Sequence, residues 1–380
     1  MLEEYAELLF ENLVGWENRS LKYIGARIKK IGELTPADAK ALNNMAMVKG
    51  DMDVIIKDLA KTTGQNISEI EKMFADAIES QHNDLKYLYD YRNKPFIPFS
   101  ENKELQSLVK AYARTSAKDM LNITNTKALG FVTKDGFADM KTALYKTMGK
   151  ATLEVATGSG NFEMAMRSAI EQLGGSGVQV HYGSGVNRSL ESVVRQNILW
   201  GVKQASNEYY DMVGEELGCD GIEIDFHSNP RPSHEFMQGK QYSLDGAKVV
   251  NGIKYESATE ALRALEDYGC LHFKTPIILG VSEPAYSPQE LKRLKEENEK
   301  PITIGDKTMS GYEWKQAMRN LESEARRTKR EISMADGAAY KTFVERKQKR
   351  LKAIRKKYNE IAEGSGIKAQ PEKMRMYKKK

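Results

Sequence analysis

The chain has 380 residues, of which 40% are hydrophobic and 29% are charged. This length allows two or three domains with their own cores, and this composition excludes a wholly disordered protein. Two cysteines are too few for a disulfide framework, and no apolar run reaches the roughly 18 residues of a membrane span. The acidic residues 1–6 lack the features of a signal peptide. We therefore expect a protein of a cytoplasm-like compartment with no membrane partner.

The net charge of +5 is unevenly distributed along the chain. Residues 341–380 contain fifteen Lys or Arg and four acidic residues, a net charge of +11 that leaves residues 1–340 near −6. A basic C-terminal arm indicates contact with DNA or another polyanion, although a solvated helix face gives the same pattern. The candidate DNA-binding residues are Lys347, Lys349, Arg350, Lys352, Arg355, Lys356, Lys357, Lys378, Lys379 and Lys380.

The first half of the chain has the apolar spacing of helices. A helical pattern covers residues 3–30 with an expected break at Gly15, and Thr35 and Pro36 are typical of a helix start. Few strand-like alternations precede residue 176, so this half is predicted to be nearly all α. Further helices are predicted at about 51–63, 68–91, 102–122 and 136–157.

The middle of the chain combines a long helix with a small α+β unit. A glycine-bounded strand at 174–183 precedes an amphipathic helix that begins near Ser189 and ends at Gly218. The predicted buried stripe of this helix is Leu190, Val194, Ile198, Val202, Ala205, Tyr209, Met212 and Leu217. The α+β unit is predicted to contain a strand at 221–226, a hairpin across 242–255 with turns at Asp245-Gly246 and Asn251-Gly252, and a helix at 257–268.

The C-terminal part is predicted to be a helical hairpin with a basic tail. Helices are expected at 287–299, 310–333 and 339–362, and Asp336-Gly337 is the expected turn of the hairpin. The predicted fold class is mainly α with a small α+β domain. The predicted regions are an N-terminal helical region at 1–95, a helical region at 96–184, an α+β core at 185–285, and the hairpin with its tail at 286–380.

Three of the five histidines and both cysteines lie between residues 219 and 272. Thiolate and imidazole are the ligands that structural zinc prefers. We therefore consider a structural zinc site, although the spacing is not a standard zinc signature and hydrogen-bonded loop histidines beside a buried cysteine explain the same residues. The four candidate ligands are His227, His234, Cys270 and His272.

The sequence gives little support to an enzyme. It contains neither the His-Glu-x-x-His nor the Gly-x-Ser-x-Gly motif. Glu223 and Asp225 alternate on the predicted strand and could face one side near His234. Such an arrangement would suit general acid–base catalysis. Alternation on a half-exposed strand explains the same pattern without chemistry, so no catalytic residue is predicted.

The loop after this strand is rich in polar residues at fixed places. Its side chains could bind an anion or another protein, or they could hold the turn around Pro230 and Pro232 by hydrogen bonds. The candidate interaction residues are Arg231, Ser233, Gln238, Gly239 and Lys240.

Several motifs in order resemble the minor capsid proteins of phages and prophages of Gram-positive bacteria, which are related to Mu-type F head-morphogenesis proteins. The resemblance covers roughly residues 150–376 and includes Pro276. Its motifs are residues 189–197 (SLESVVRQN), 201–205 (GVKQA), 231–234 (RPSH), 238–243 (QGKQYS), 270–273 (CLHF) and 280–284 (GVSEP).

The resemblance implies a structural virion protein inside the head. Its expected partners are the portal protein at the portal vertex, the major capsid or scaffold protein, and double-stranded DNA bound without sequence preference. It implies no certain cofactor, and the protein would occupy the host cytoplasm during assembly. Two alternatives stay open at this point: a virion-delivered effector or enzyme that uses the His, Cys and acidic residues, and a DNA-binding scaffold without portal contact.

Overall fold

The computed structural model describes residues 2–42, 44–64, 67–125, 129–158, 161–267 and 269–374. Helices dominate these residues and three small sheets lie among them, the largest in an α+β unit, so the predicted fold class is confirmed. The N-terminal helices are α1 (Leu2–Gly32), α2 (Pro36–Ala41), α3 (Asn44–Gly64), α4 (Ile67–Asp84), α5 (Lys86–Tyr91) and α6 (Lys103–Asn125).

Helix α1 is continuous, so the break predicted at Gly15 is wrong. A glycine in a helix interior costs only about 1 kcal/mol. The helix buries Trp16, Ile24 and Ile28, each at most 1% exposed, and this burial outweighs the glycine. At the next helix the prediction is confirmed, because the Thr35 side chain accepts a hydrogen bond from the Asp38 N–H and caps α2.

A β-hairpin lies where the sequence predicts only helix. It consists of β1 (Leu129–Thr133) and β2 (Gly136–Asp139), and α7 (Met140–Thr157) follows directly. Both strands are short, and β1 also pairs with a strand that comes about fifty residues later, so the local pattern reveals little of the sheet. The predicted helix at 136–157 therefore starts four residues too early.

The next elements lead into the longest helix of the middle of the chain. Helix α8 (Phe162–Ala169) continues into a π-helical turn at Ile170–Gly174, and β3 (Gln179–His181) and β4 (Asn187–Ser189) complete a sheet with the order β2-β1-β3-β4. Helix α9 (Leu190–Leu217) has its Ser189 cap and its left-handed Gly218 where the sequence predicts them. Its predicted stripe is buried except for Met212, which is 37% exposed.

A five-stranded sheet forms the α+β unit. Its order is β7-β8-β6-β5-β9, and α10 (Thr259–Leu265) follows β8. The hairpin predicted at Asn251-Gly252 joins β7 and β8, but β6 pairs in parallel with β8, so the hairpin predicted at Asp245-Gly246 does not form. The strands are β5 (Gly221–Ile224), β6 (Gln241–Ser243), β7 (Lys248–Val250), β8 (Ile253–Ser257) and β9 (Lys274–Ile277).

The C-terminal elements are mostly helical, as predicted. They are α11 (Pro288–Glu299), β10 (Ile302–Ile304), β11 (Lys307–Met309), α12 (Gly311–Gly337) and α13 (Lys341–Ser365). The hairpin of β10 and β11 was not predicted, since each strand has three residues. The turn between α12 and α13 lies at residues 338–340, where Ala339 has φ +53°, and not at Asp336-Gly337, which ends α12.

Helix α12 packs against α13 on one side and against α1 on the other. Where α12 crosses α1, Gly25 and Gly337 allow close approach, since a Cβ at Gly25 would lie 2.1 Å from the Met334 carbonyl oxygen. The division of the chain into four regions stays a prediction, and the crossing brings the first and the last of them into contact. Among the described residues, none of the helices has the length and apolar character needed to cross a membrane.

Candidate functional site

The α+β unit brings three of the four candidate metal ligands together. His234 lies in a 3-10 turn after β5, and Cys270 and His272 lie in the loop before β9. All three side chains are buried, and their potential ligand atoms lie within 4.8 Å of one another. The Cys270 Sγ and the His272 Nδ1 are 3.7 Å apart. Two loops that are more than thirty residues apart therefore converge on one small buried volume.

Both histidines of this cluster are fixed through their Nε2 atoms. The His234 Nε2 lies 3.2 Å from an oxygen of Asp267, and the His272 Nε2 lies 3.1 Å from the Gln238 Oε1. A carboxylate and an amide oxygen are acceptors, so each Nε2 carries the proton in these contacts. The Nδ1 atoms then hold the lone pairs, and the one of His272 faces the cysteine sulfur.

His227 belongs to a second group. Its Nε2 lies 2.8 Å from an oxygen of Asp225, and its ring stacks on His272 with a centroid distance of 4.2 Å. Asp225, His227 and His272 form a second set of mutually close ligand atoms. Among the described residues, the four candidate ligands thus fall into two groups that share His272.

Burial controls the protonation of the shared histidine. His272 is 3% exposed, and this burial, together with the neighbouring His227, lowers the pKa of His272 to about 4. The imidazole is therefore neutral at physiological pH. Neutral imidazole is the form that binds a metal ion.

Sequence reasoning missed Lys203, which it placed off the buried stripe of α9. Lys203 is 2% exposed, and its Nζ donates hydrogen bonds to the carbonyl oxygens of Leu265 at 2.8 Å and Cys270 at 3.0 Å. The lysine therefore holds the cysteine loop against α9. Its position on the helix gives no hint of this, because both acceptors lie more than sixty residues later.

The loop residues differ in what they contact. Gln238 is buried and also accepts a hydrogen bond from the His227 N–H at 3.0 Å. Lys240 lies 3.5 Å from Glu256, Arg231 lies 4.0 Å from Asp267, and Ser233 is exposed in the 3-10 turn. Gly239 has φ +68°, a conformation that favours glycine. Gln238 thus holds the loop, and Arg231 and Ser233 are exposed at its surface.

The two acidic residues of the strand are tied by hydrogen bonds. The two oxygens of Glu223 accept from the Ala285 N–H at 2.7 Å and from the Gln241 side chain at 2.9 Å. Asp225 accepts from the Phe273 N–H at 2.9 Å and contacts His227. These bonds connect the loops around β5 and give both carboxylates a structural role.

The basic residues of α13 fall into two sets. Lys347 lies 2.5 Å from the buried Glu331, and Arg350 lies 2.7 Å from Glu324, so these two candidates hold α13 against α12. Lys378, Lys379 and Lys380 lie outside the described residues. Apart from Arg350, which is exposed in its ion pair, the exposed candidates are Lys349, Lys352, Arg355, Lys356 and Lys357.

Comparison with known proteins identifies the family. The profile of the family "Phage minor capsid protein 2" matches residues 9–362, which is most of the chain. Searches of curated proteins and of solved structures gave no significant match. Family membership supports a structural role in the virion and favours it over an enzymatic one. The match confirms the resemblance seen in the sequence motifs, and the chain belongs to the phage minor capsid protein 2 family.

Proposed function

We propose that this minor capsid protein sits inside the phage head at the portal vertex and contacts packaged DNA there without reading its sequence. The observation that carries the DNA part of the proposal is the outward face of α13. The proposal for the portal is supported by the family and by exposed apolar side chains on α3. Contacts with the major capsid or scaffold protein are a further part of the same proposal.

Helix α13 has one apolar and one basic face. Leu351, Ile354 and Tyr358 are at most 9% exposed and pack on α12. Lys349, Lys352 and Lys356 recur at intervals of three and four residues, which places them together on the opposite face. The helix holds nine Lys or Arg and three Glu, a net charge of +6. This row can lie along a phosphate backbone while the folded body stays intact.

The DNA contact is tested with the triple variant Lys349→Gln, Lys352→Gln and Lys356→Gln. Log affinity falls linearly with log salt, and each lost phosphate contact makes this fall shallower by about 0.9. We expect weaker binding to double-stranded DNA of any sequence and a smaller salt dependence, measured by fluorescence anisotropy at several salt concentrations.

The matched control removes the same charge from α7 with Lys141→Gln, Lys146→Gln and Lys150→Gln, three residues that are also exposed. This control should bind DNA like the unchanged protein. Equal loss of affinity in both variants, or affinity that does not respond to salt, contradicts the assignment of the contact to α13.

The portal part of the proposal concerns the helical body. Met45 and Ile56 on α3 are 55% and 51% exposed and lie about three helical turns apart, so they share one face of the helix. Exposed apolar side chains on a common face favour contact with another protein. This face and the basic row of α13 belong to different helices, so the body can bind protein while the row binds DNA.

The portal contact is tested by pull-down of the full chain with the portal protein of its own phage at low and moderate salt. We expect salt-resistant capture that the α13 triple variant keeps and that Met45→Glu with Ile56→Glu weakens. Leu153→Glu with Met164→Glu is the control, since both residues are exposed apolar side chains of other helices. No capture of the unchanged protein in any condition contradicts portal association.

Two other functions make different predictions. A DNA-binding scaffold without portal contact would bind DNA but fail the pull-down. A virion-delivered enzyme that uses the His, Cys and acidic residues would lose an activity, without loss of folding, on changing Glu223, Asp225 or His234. The hydrogen bonds that occupy both oxygens of Glu223 favour the structural function.

A further inference from the structure

We infer that the α+β unit binds one zinc ion through Cys270, His234 and His272, and that this ion joins the loop after β5 to the loop before β9. The inference does not depend on the portal or the DNA contact. It rests on the positions of the three donors, on the orientation of both imidazoles and on the burial of the whole cluster.

The distance between two of the donors matches a tetrahedral ion, whose fourth position a water molecule would hold. With Zn–S near 2.3 Å and Zn–N near 2.0–2.1 Å, two ligands of one zinc lie about 3.6 Å apart. The Cys270 Sγ and the His272 Nδ1 are 3.7 Å apart, and the donor of His234 lies within 4.8 Å of both. A small adjustment of side chains therefore suffices to coordinate an ion.

The orientation of the imidazoles matches that of metal-bound histidines. Such histidines commonly donate the second ring N–H to a carboxylate or carbonyl oxygen, which fixes the tautomer. Here Asp267 accepts from the Nε2 of His234 and Gln238 accepts from that of His272. Both rings thus have an outer acceptor, and the carboxylate of Asp267 adds a negative charge near the ion.

The three ligand residues are also buried and held in place by the surrounding structure. The three ligand residues are at most 3% exposed, and Lys203 holds the carbonyl of Cys270. The neighbouring core of the unit has only a few apolar residues, among them Ile224, Met237 and Leu265. A small core of this kind gains stability from a metal that joins two of its loops.

The second group is the weaker candidate for the zinc site. It consists of Asp225, His227 and His272. Its Asp225 and His227 side chains are 35% and 36% exposed, and their 2.8 Å hydrogen bond explains their closeness without an ion. It also lacks a thiolate, which zinc prefers over a carboxylate in structural sites. His227 is therefore a neighbour of the site and not one of its three ligands.

The test measures zinc in the purified full-length protein by inductively coupled plasma mass spectrometry, after growth with added zinc and dialysis. We expect about one zinc ion per chain, loss of the ion in Cys270→Ser, and retention in Cys219→Ser. Cys219 is the matched control because it is the other cysteine of the chain and lies outside the cluster. Zinc below one tenth of an ion per chain in the unchanged protein, or equal zinc in both variants, overturns the inference.

A second measurement does not depend on the folding of Cys270→Ser. Cobalt(II) added to metal-free unchanged protein should give a thiolate-to-cobalt charge-transfer band and the visible bands of a tetrahedral ion, and Cys219→Ser should give the same spectrum. Absence of the charge-transfer band from the unchanged protein, or its loss in Cys219→Ser, contradicts coordination by Cys270.

Discussion

The helical body and the α+β unit are stabilised in different ways. The body has one continuous apolar core that includes side chains from α1, α3, α4, α6, α7 and α9. Among the described residues, the unit has two small apolar clusters of eight and three buried residues, and Cys270 of the larger cluster also belongs to a polar group with the histidines, Asp225, Asp267 and Gln238. Apolar packing thus dominates in the body, whereas polar contacts at defined positions make a larger share of the contacts in the unit. The effects of substitutions on stability should therefore differ between the two regions in size and in kind.

The largest effect is expected from Trp16→Ala in the body. Trp16 is fully buried in the continuous core, and its Nε1 donates to the carbonyl oxygen of Ile55 at 3.1 Å. Truncation of a buried tryptophan costs about 3–5 kcal/mol. The free energy of unfolding in urea should fall by this amount, and a loss below about 1 kcal/mol would show that the body does not depend on its apolar core.

A smaller but specific effect is expected from Gly25→Ala at the crossing of α1 and α12. The new Cβ would lie 2.1 Å from the backbone oxygen of Met334, so the two helices must separate. Overpacking of this kind typically costs about 1–3 kcal/mol. Gly50→Ala is the control, because a Cβ there meets nothing within 4 Å and alanine is the better helix former. Thermal unfolding should show Gly25→Ala destabilised and Gly50→Ala unchanged or stabilised.

Lys203→Met tests the contact between the body and the unit. Methionine keeps much of the length of the side chain but leaves the carbonyls of Leu265 and Cys270 without their donor. A buried acceptor without a partner costs about 1–3 kcal/mol. Hydrogen exchange should rise at residues 259–273 and stay unchanged in α1. If the substitution changes the exchange rates of residues 259–273 no more than those of α1, the lysine does not hold the loop.

The smallest effect is expected from Asp139→Ala at the start of α7. The Asp139 side chain accepts from the Thr142 N–H at 3.0 Å, and loss of such a cap costs about 0.5–2 kcal/mol. Burial opposes ionisation, but hydrogen bonds from Thr142 and nearby backbone lower the pKa of Asp139 below its usual value of 3.8. The stabilisation is therefore present above pH 4 and is lost as the pH falls through the lowered pKa. The variant and the unchanged protein should converge in stability at acidic pH.

Local signals in the sequence account for the elements that were predicted well. Ser189 and Gly218 bound α9 because a side-chain cap and a left-handed glycine act within a few residues. The family resemblance was visible for the same reason, since its motifs are short and occur in order. The convergence of His234 with Cys270 and His272 followed from their location in loops that flank one small sheet.

Long-range contacts account for what the sequence did not predict. The β1 strand pairs with β3 about fifty residues later as well as with its neighbour β2, and the burial of Lys203 depends on carbonyls more than sixty residues later. None of these contacts leaves a periodic pattern in the chain.

The most direct test of the proposed function is an asymmetric cryo-electron microscopy reconstruction of the assembled phage head. Portal association predicts density for the helical body next to the portal ring on the inner side of the head, with α13 facing the packaged DNA. Density spread over the inner shell with none at the portal vertex would contradict this placement.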